Sequence, residues 1–304
     1  MERTDSAKTI ILAGGTGDLG HRIATYLLQA GARVKILVRK ESDKKKTADL
    51  EKMGARMVVV DFSDTTSLVA AVSGGHCVVS ALSGLREVIV TVQTNLLQAA
   101  VTAGVPRFIP SDFCIDYTKL APGTNRNLDL RREFHERLNQ APLSATSILN
   151  GMFTDLLTGQ APVVLFGLKR VLYWGDKDQL LDFTTIDNTA AYTASAVLDN
   201  STPRFVRIAG EVASAKDLQK AATGATGKQF GLLRAGGLGL LKTMTAITKK
   251  LAPGKGEVFP PWQGMQYMHN MYTGLPKLQP LDNDRYPAMR WTSVKEVLAG
   301  SLPA

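Results

Sequence analysis

Residues 11–28 read "ILAGGTGDLGHRIATYLL". No other stretch constrains the fold as tightly. Ala7–Ala13 is a short apolar run closed by glycines, which is the pattern of a buried strand. In Asp18–Gly31 the residues Leu19, Ile23, Leu27 and Leu28 fall on one helical face, and Gly31 suits the stop. The turn between them satisfies two overlapping spacings, Gly15-x-Gly17-x-x-Gly20 and Gly14-x-x-Gly17-x-x-Gly20. Glycine permits the tight turn and lets backbone approach a pyrophosphate, whose charge the N-terminus of the following helix favours. Strand, glycine turn and helix together predict a dinucleotide loop formed by Gly14, Thr16, Gly17, Asp18, Leu19 and Gly20.

The alternation continues. Strands are expected at Val34–Val38, Met57–Val60, His76–Ser80, from Arg107, and at Ala145–Leu149. Helices are expected at Lys44–Gly54, Thr65–Val72, Glu87–Gly104 and Arg126–Gln140. This rhythm implies an α/β fold, a Rossmann-type doubly wound parallel sheet with helices on both faces. A chain of 304 residues, 44% hydrophobic and 21% charged, can bury such a core without staples. The two cysteines, Cys77 and Cys114, make neither a disulfide framework nor a zinc pattern, so no metal is expected. There is no signal-like apolar core and no run long enough to span a bilayer, so the expectation is a cytoplasmic protein without a membrane span. The net charge of +9 comes with no nucleic-acid module and suits anionic cofactors, so no nucleic-acid partner is expected.

An NAD site places an acid about 20 residues past the glycines, at the end of the second strand. Here that end reads "ILVRK", and Arg39 stands in the acid's place, with Lys44 close behind. An arginine fork clamps a 2′-phosphate that an acid would repel, so the expected cofactor is NADP(H). Ligands in such sheets lie beyond the carboxyl ends of the strands. That rule adds Asp61 and Phe62, then Ala81, Leu82 and Ser83, then Pro110, Ser111 and Phe113, and finally Asn150 and Gly151 as cofactor residues. Phe153 follows them on the substrate side.

"GGTGDLG", "LVRK", "VPRFIPSDF" and "ILNGMFTDLL", with "DFTTIDNTAAYTASAVLD" and "RYPAMRWTSVKEVL", resemble the NmrA-like, isoflavone reductase-like group of atypical short-chain dehydrogenases. The resemblance spans nearly the whole chain. It implies NADPH held by the glycine loop and Arg39, and hydride transfer to a small, often aromatic molecule. It also implies a smaller, mixed α/β substrate portion (153–304) after the Rossmann portion (1–152), with the acceptor in a cleft between them, although the chain can cross back into the sheet. One departure concerns chemistry. Typical short-chain dehydrogenases carry Tyr-x-x-x-Lys on the helix before the sixth strand, and "NRNLDLRREFHERLNQ" has neither residue. A guanidinium from Arg131 or Arg132 is a poor proton donor. His135, Tyr117 and Asp112 are the candidates to replace it; His135 reads more readily as a helix-surface or packing histidine, and Tyr117 reads equally as a packing residue.

In the second half, "GLLKTMTAITKKL" puts Leu240, Leu241, Met244, Ile247 and Leu251 on one helical face, which reads as a helix covering the substrate cleft. The same pattern fits a membrane-surface helix. Trp262, Met265 and Tyr267, in "FPPWQGMQYMHNMYTG", suit either an adaptable apolar pocket or core packing. Two functions fit: an NADPH-dependent reductase of an aromatic or apolar carbonyl, enone, quinone or benzylic ether, or a non-catalytic NADP(H) sensor that binds a partner protein. The expected partner of the first is a small-molecule substrate, with a monomer or homodimer as the assembly.

Overall fold

A computed structural model describes residues 7–42 and 44–301. Six strands form the main sheet: β1 (Thr9–Ala13), β2 (Arg33–Val38), β3 (Arg56–Val59), β4 (Cys77–Ser80), β5 (Arg107–Ile109) and β6 (Ser144–Ala145). Their order is β3-β2-β1-β4-β5-β6, with every neighbouring pair parallel. The connecting helices are α1 (Asp18–Gln29), α2 (Lys44–Lys52), α3 (Thr65–Val72), α4 (Gln93–Thr102) and α5 (Arg126–Leu138). A π-helical stretch, Glu87–Val92, runs directly into α4. The chain winds outward from β1 through β2 to β3, then restarts at β4 on the other side of β1. That reversal is the switch point where such sheets bind ligands.

The strands read as continuous apolar runs because both faces are covered. Ile10, Leu12 and Ile36 are fully buried, and so are Ile11 and Val78, which pack with Leu68, Val72, Leu96, Phe108 and Phe134. The Phe108 and Phe134 rings lie 6.0 Å apart, tilted by 40°.

The chain separates into two compact units, and the division is not a single cut after residue 152. One unit takes the chain up to Asp112, then Leu130–Ile148 and Thr189–Val206. The other takes Phe113–Asp129, Leu149–Asn188 and everything from Arg207. Arg107 shows why residues 189–206 belong with the sheet. It is buried at the start of β5 and donates to Val197 O (2.8 Å), Ala196 O (3.2 Å) and Thr202 Oγ1 (2.6 Å). The last carbonyls of a helix lack partners of their own, and a guanidinium supplies them.

Beyond β6 the chain forms β7 (Ser147–Leu149), β8 (Met152–Phe153), β9 (Val164–Leu165), β10 (Arg170–Trp174), β11 (Leu181–Thr184), α6 (Ile186–Leu198), β12 (Phe205–Arg207), β13 (Glu211–Ala213), α7 (Ala215–Thr226), β14 (Gly231–Gly236), α8 (Leu238–Leu251), α9 (Pro261–Tyr272) and α10 (Val294–Gly300). Two three-stranded sheets, β13-β11-β8 and β14-β10-β9, organise the second unit. No helix among the described residues is long and apolar enough to cross a membrane.

Three sequence expectations change. The strand Ala145–Leu149 is broken at Thr146. Thr146 N–H still reaches Phe108 O (3.1 Å), whereas Ser147 N–H turns away to Arg204 O (2.8 Å). The sequence places Asp187 to cap a helix over Thr189–Leu198, whereas the helix starts at Ile186. Its first N–H groups are taken by the Asp155 carboxylate (2.8 Å) and the Thr185 hydroxyl (2.9 Å), upstream of Asp187. Finally, α8 buries Leu241 and Thr245, while Leu240, Ile247 and Leu251 are 50%, 53% and 78% exposed. The periodicity located the helix but not its rotation, because Leu241 lies on the shared edge of both faces.

Replacing Arg107 by Met should lower unfolding free energy by about 3 kcal/mol, measured by urea titration, since two buried carbonyls and the part-buried Thr202 hydroxyl lose their donor.

Candidate functional site

The glycine turn sits at the switch point and is fixed by close backbone approach. Gly14 has φ +84°, and a Cβ there would lie 2.4 Å from Ala81 O. A Cβ on Gly20 would lie 2.1 Å from Gly14 O. The turn is closed by Gly17 N–H on Gly14 O (3.0 Å). Gly17 is the N-cap of α1 and offers no side chain, so no side-chain oxygen covers the first N–H groups of the helix. A turn with no room for a Cβ at Gly14 and Gly20, ending on an uncapped helix N-terminus, fits a pyrophosphate. Thr16 and Leu19 are half-buried beside it, and Asp18 points outward to Arg22 (2.8 Å).

Arg39 is exposed just past β2. The Lys44 side chain lies outside the described residues. Asp61 accepts from Ser63 N–H (2.8 Å) and Oγ–H (2.7 Å), and these bonds hold its carboxyl below the usual range. Phe62 is half-buried, and its carbonyl accepts from Asn95 Nδ2 (2.9 Å). Ala81 and Leu82 are half-buried and Ser83 is exposed past β4. Pro110 and Ser111 are buried past β5. The first unit therefore gathers the glycine turn, Arg39, Asp61, Phe62, Ala81–Ser83, Pro110 and Ser111 around the carboxyl ends of its strands. Phe113, Asn150, Gly151 and Phe153 belong to the second unit. Phe113 is buried with φ +31°. Asn150 is fully buried, and its side-chain amide makes no hydrogen bond. At Gly151 (φ +70°) a Cβ would lie 2.3 Å from Asp182 O, so packing against β11 by itself requires glycine.

Two of the three acid–base candidates meet. Asp112 Oδ2 lies 2.8 Å from His135 Nε2, and both side chains are buried. Arg204 donates to His135 Nδ1 (2.9 Å), to Asn139 Oδ1 (3.0 Å) and to Ser147 Oγ (2.7 Å). A guanidinium has no acceptor, so Nδ1 accepts from Arg204 while Nε2–H faces the Asp112 carboxylate. Phe205 stacks on the imidazole at 6.0 Å. Burial by itself would push the Asp112 carboxyl up. The contacts with His135, Ser147 and Arg131 outweigh burial and hold it below the carboxylate range. Tyr117 is buried in the second unit, in a 3-10 turn capped by Asp116.

Trp262 is buried with its indole N–H on Pro253 O (3.0 Å) and with Arg126 and Lys249 over its ring at 4.7 and 4.9 Å. Met265 and Tyr267 are half-buried. Sequence reasoning missed Lys277, which contacts the buried Asp182 carboxylate beside a small cavity lined by Ile115 and Met271. Burial, then Lys119, pulls its ammonium down to about 8. It also missed Gln93, although a lone glutamine after "EVIVTV" is a visible signal. Among the described residues no group of His, Cys, Asp or Glu gathers to hold a metal.

The NmrA-like family matches residues 6–252. The chain belongs to the NmrA-like family. This NmrA-like chain is 33% identical over 211 residues to pinoresinol reductase 2 of Arabidopsis thaliana, covering 64% of itself and 65% of that relative. It is 28% identical over 325 residues to the bifunctional pinoresinol-lariciresinol reductase of Linum corymbulosum, covering 98% and 99%. The structure of AtPrR2 with NADP+ and (+)pinoresinol superposes with a TM-score of 0.79 at 25% identity, over 97% and 99% of the two chains. An isoflavone reductase shares the fold at 16% identity, with a TM-score of 0.81 over 98% and 100%.

Because the native Asp112 carboxyl titrates below its unfolded value, its stabilisation is complete above about pH 4 and fades as pH falls through the native pKa. The stability gap between wild type and Asp112→Asn, read from urea unfolding at stepped pH, should be widest above pH ~4 and narrow below it. A gap independent of pH would refute this.

Proposed function

We propose that this chain is an NADPH-dependent reductase of a small aromatic acceptor. The observation that carries the reading is the Gly14–Gly20 turn at the switch point, closed to a Cβ at Gly14 and Gly20 and ending on the uncapped N-terminus of α1. Gly14, Gly17 and Gly20 hold the pyrophosphate. Arg39 takes the 2′-phosphate with its fork of donors. Leu82, Ser83, Pro110 and Ser111 border the nicotinamide half. When bound, NADPH supplies the hydride. The relatives whose names specify pinoresinol support an aromatic acceptor, and Phe153, Met265 and Tyr267 are half-buried apolar side chains of the second unit suited to one. Trp262, whose ring already meets Arg126 and Lys249, serves as a support for α9.

The direct test is NADPH consumption with pinoresinol and with a panel of aromatic carbonyls, enones, quinones and benzylic ethers. Turnover with at least one is expected. NADPH binding without turnover of any would favour the second reading, a cofactor sensor, which the absence of Tyr and Lys from α5 supports. Arg39→Ala should raise KM for NADPH about ten- to a hundredfold, as the loss of charge-assisted bonds predicts, and leave KM for NADH within about twofold. Equal effects on both coenzymes would exclude Arg39 as the selector.

A further inference from the structure

The entry to α4 is irregular in a way that ties three strand ends together. Across Glu87–Val92 the helix is wound as a π-turn. The backbone N–H of Gln93 accordingly reaches Val88 O, five residues back. In an α-turn that N–H would bond Ile89 O. Here the side-chain amide of Gln93 bonds Ile89 O, at 2.9 Å. The other end of the same amide, Oε1, accepts from Ser111 N–H at 2.8 Å. Gln93 is 1% exposed, so both bonds form away from water, where an unmade partner is costly.

Ser111 extends the chain of contacts. Its hydroxyl donates to Leu82 O at 2.5 Å, joining the turn past β5 to the turn past β4. Two residues after Gln93, Asn95 donates to Phe62 O, past β3. The first turn of α4 therefore fastens the ends of β3, β4 and β5, all within the first unit. A regular helix would spend the Gln93 N–H on Ile89 O and leave the amide no backbone anchor there; the π-turn frees that carbonyl. Pi-turns of this kind concentrate where geometry serves function.

We propose that Gln93 is a positioning residue for the nicotinamide half of the cofactor, holding the Ser111 turn and, through it, Leu82 in the register that half requires. This rests on the cofactor reading above. Gln93 acts through Ser111 and is not itself a catalytic residue.

The test compares two ligands. Adenosine 2′,5′-bisphosphate occupies only the adenine and 2′-phosphate side, whereas NADPH also needs the nicotinamide side. Gln93→Met keeps the length and volume of the side chain but removes both bonds. Affinities are measured by calorimetry, alongside thermal unfolding. Gln93→Met should weaken NADPH about tenfold, the loss of roughly one buried bond, and leave the bisphosphate within about twofold. Ser111→Ala, which removes only the link to Leu82, should shift the same ratio in the same direction by a smaller factor. It supplies the answer if Gln93→Met does not fold. Equal weakening of both ligands, or an unchanged ratio, would overturn the positioning role. Failure of the wild-type protein to bind either ligand would instead overturn the cofactor reading.

Discussion

The contact on which the site depends is backbone against backbone. Gly14 lies so close to the Ala81 carbonyl that β1 and β4 can adopt their register only if position 14 carries no side chain. Gly20 then lies against Gly14 so closely that α1 starts directly over the turn. These approaches aim the helix axis, and with it the helix dipole, at the gap where the sheet reverses direction. Arg39, Asp61 and Ser83 end up on the same rim because each follows the carboxyl end of a parallel strand. Their grouping is a consequence of strand direction and needs no contact among the side chains.

That geometry accounts for what was readable. The alternation of short apolar runs and amphipathic segments fixes a parallel sheet, and a parallel sheet fixes which loops share a rim. Glycine spacing identifies the turn, because no other residue tolerates those distances. What the sequence concealed are features decided by side chains from distant parts of the chain. The break of the sixth strand at Thr146 depends on Arg204 O, and the start of α6 on Asp155. The rotation of α8 hides in a pattern that suits two faces equally. The π-turn before Gln93 has no periodic signature, since "EVIVTV" reads as ordinary apolar helix or strand.

The division of the chain follows the same logic. Residues 189–206 are apolar enough to belong anywhere. Arg107 decides the matter by bonding the last carbonyls of α6 to the beginning of β5. One buried guanidinium with three acceptors thus fixes which segment completes the sheet unit, and composition cannot report a preference of that kind.

Helix α5 shows why a residue type in a motif position is a weak guide to chemistry. It carries neither the tyrosine nor the lysine of a typical short-chain dehydrogenase. Here its inward polar groups are engaged in alignment. Arg131 donates to Asp112 O at 2.8 Å, His135 donates to the Asp112 carboxylate, and Glu133 pairs with Arg86 ahead of the π-turn. His135 is held between the Asp112 carboxylate at Nε2 and the Arg204 guanidinium at Nδ1, which together fix the orientation of the ring. Its work is to hold Asp112, and through the Pro110–Asp112 turn it acts on the same segment that Gln93 grips from α4. Two helices on different connections clamp one turn past β5, which is the expected design where a ligand is to be placed within a fraction of an ångström.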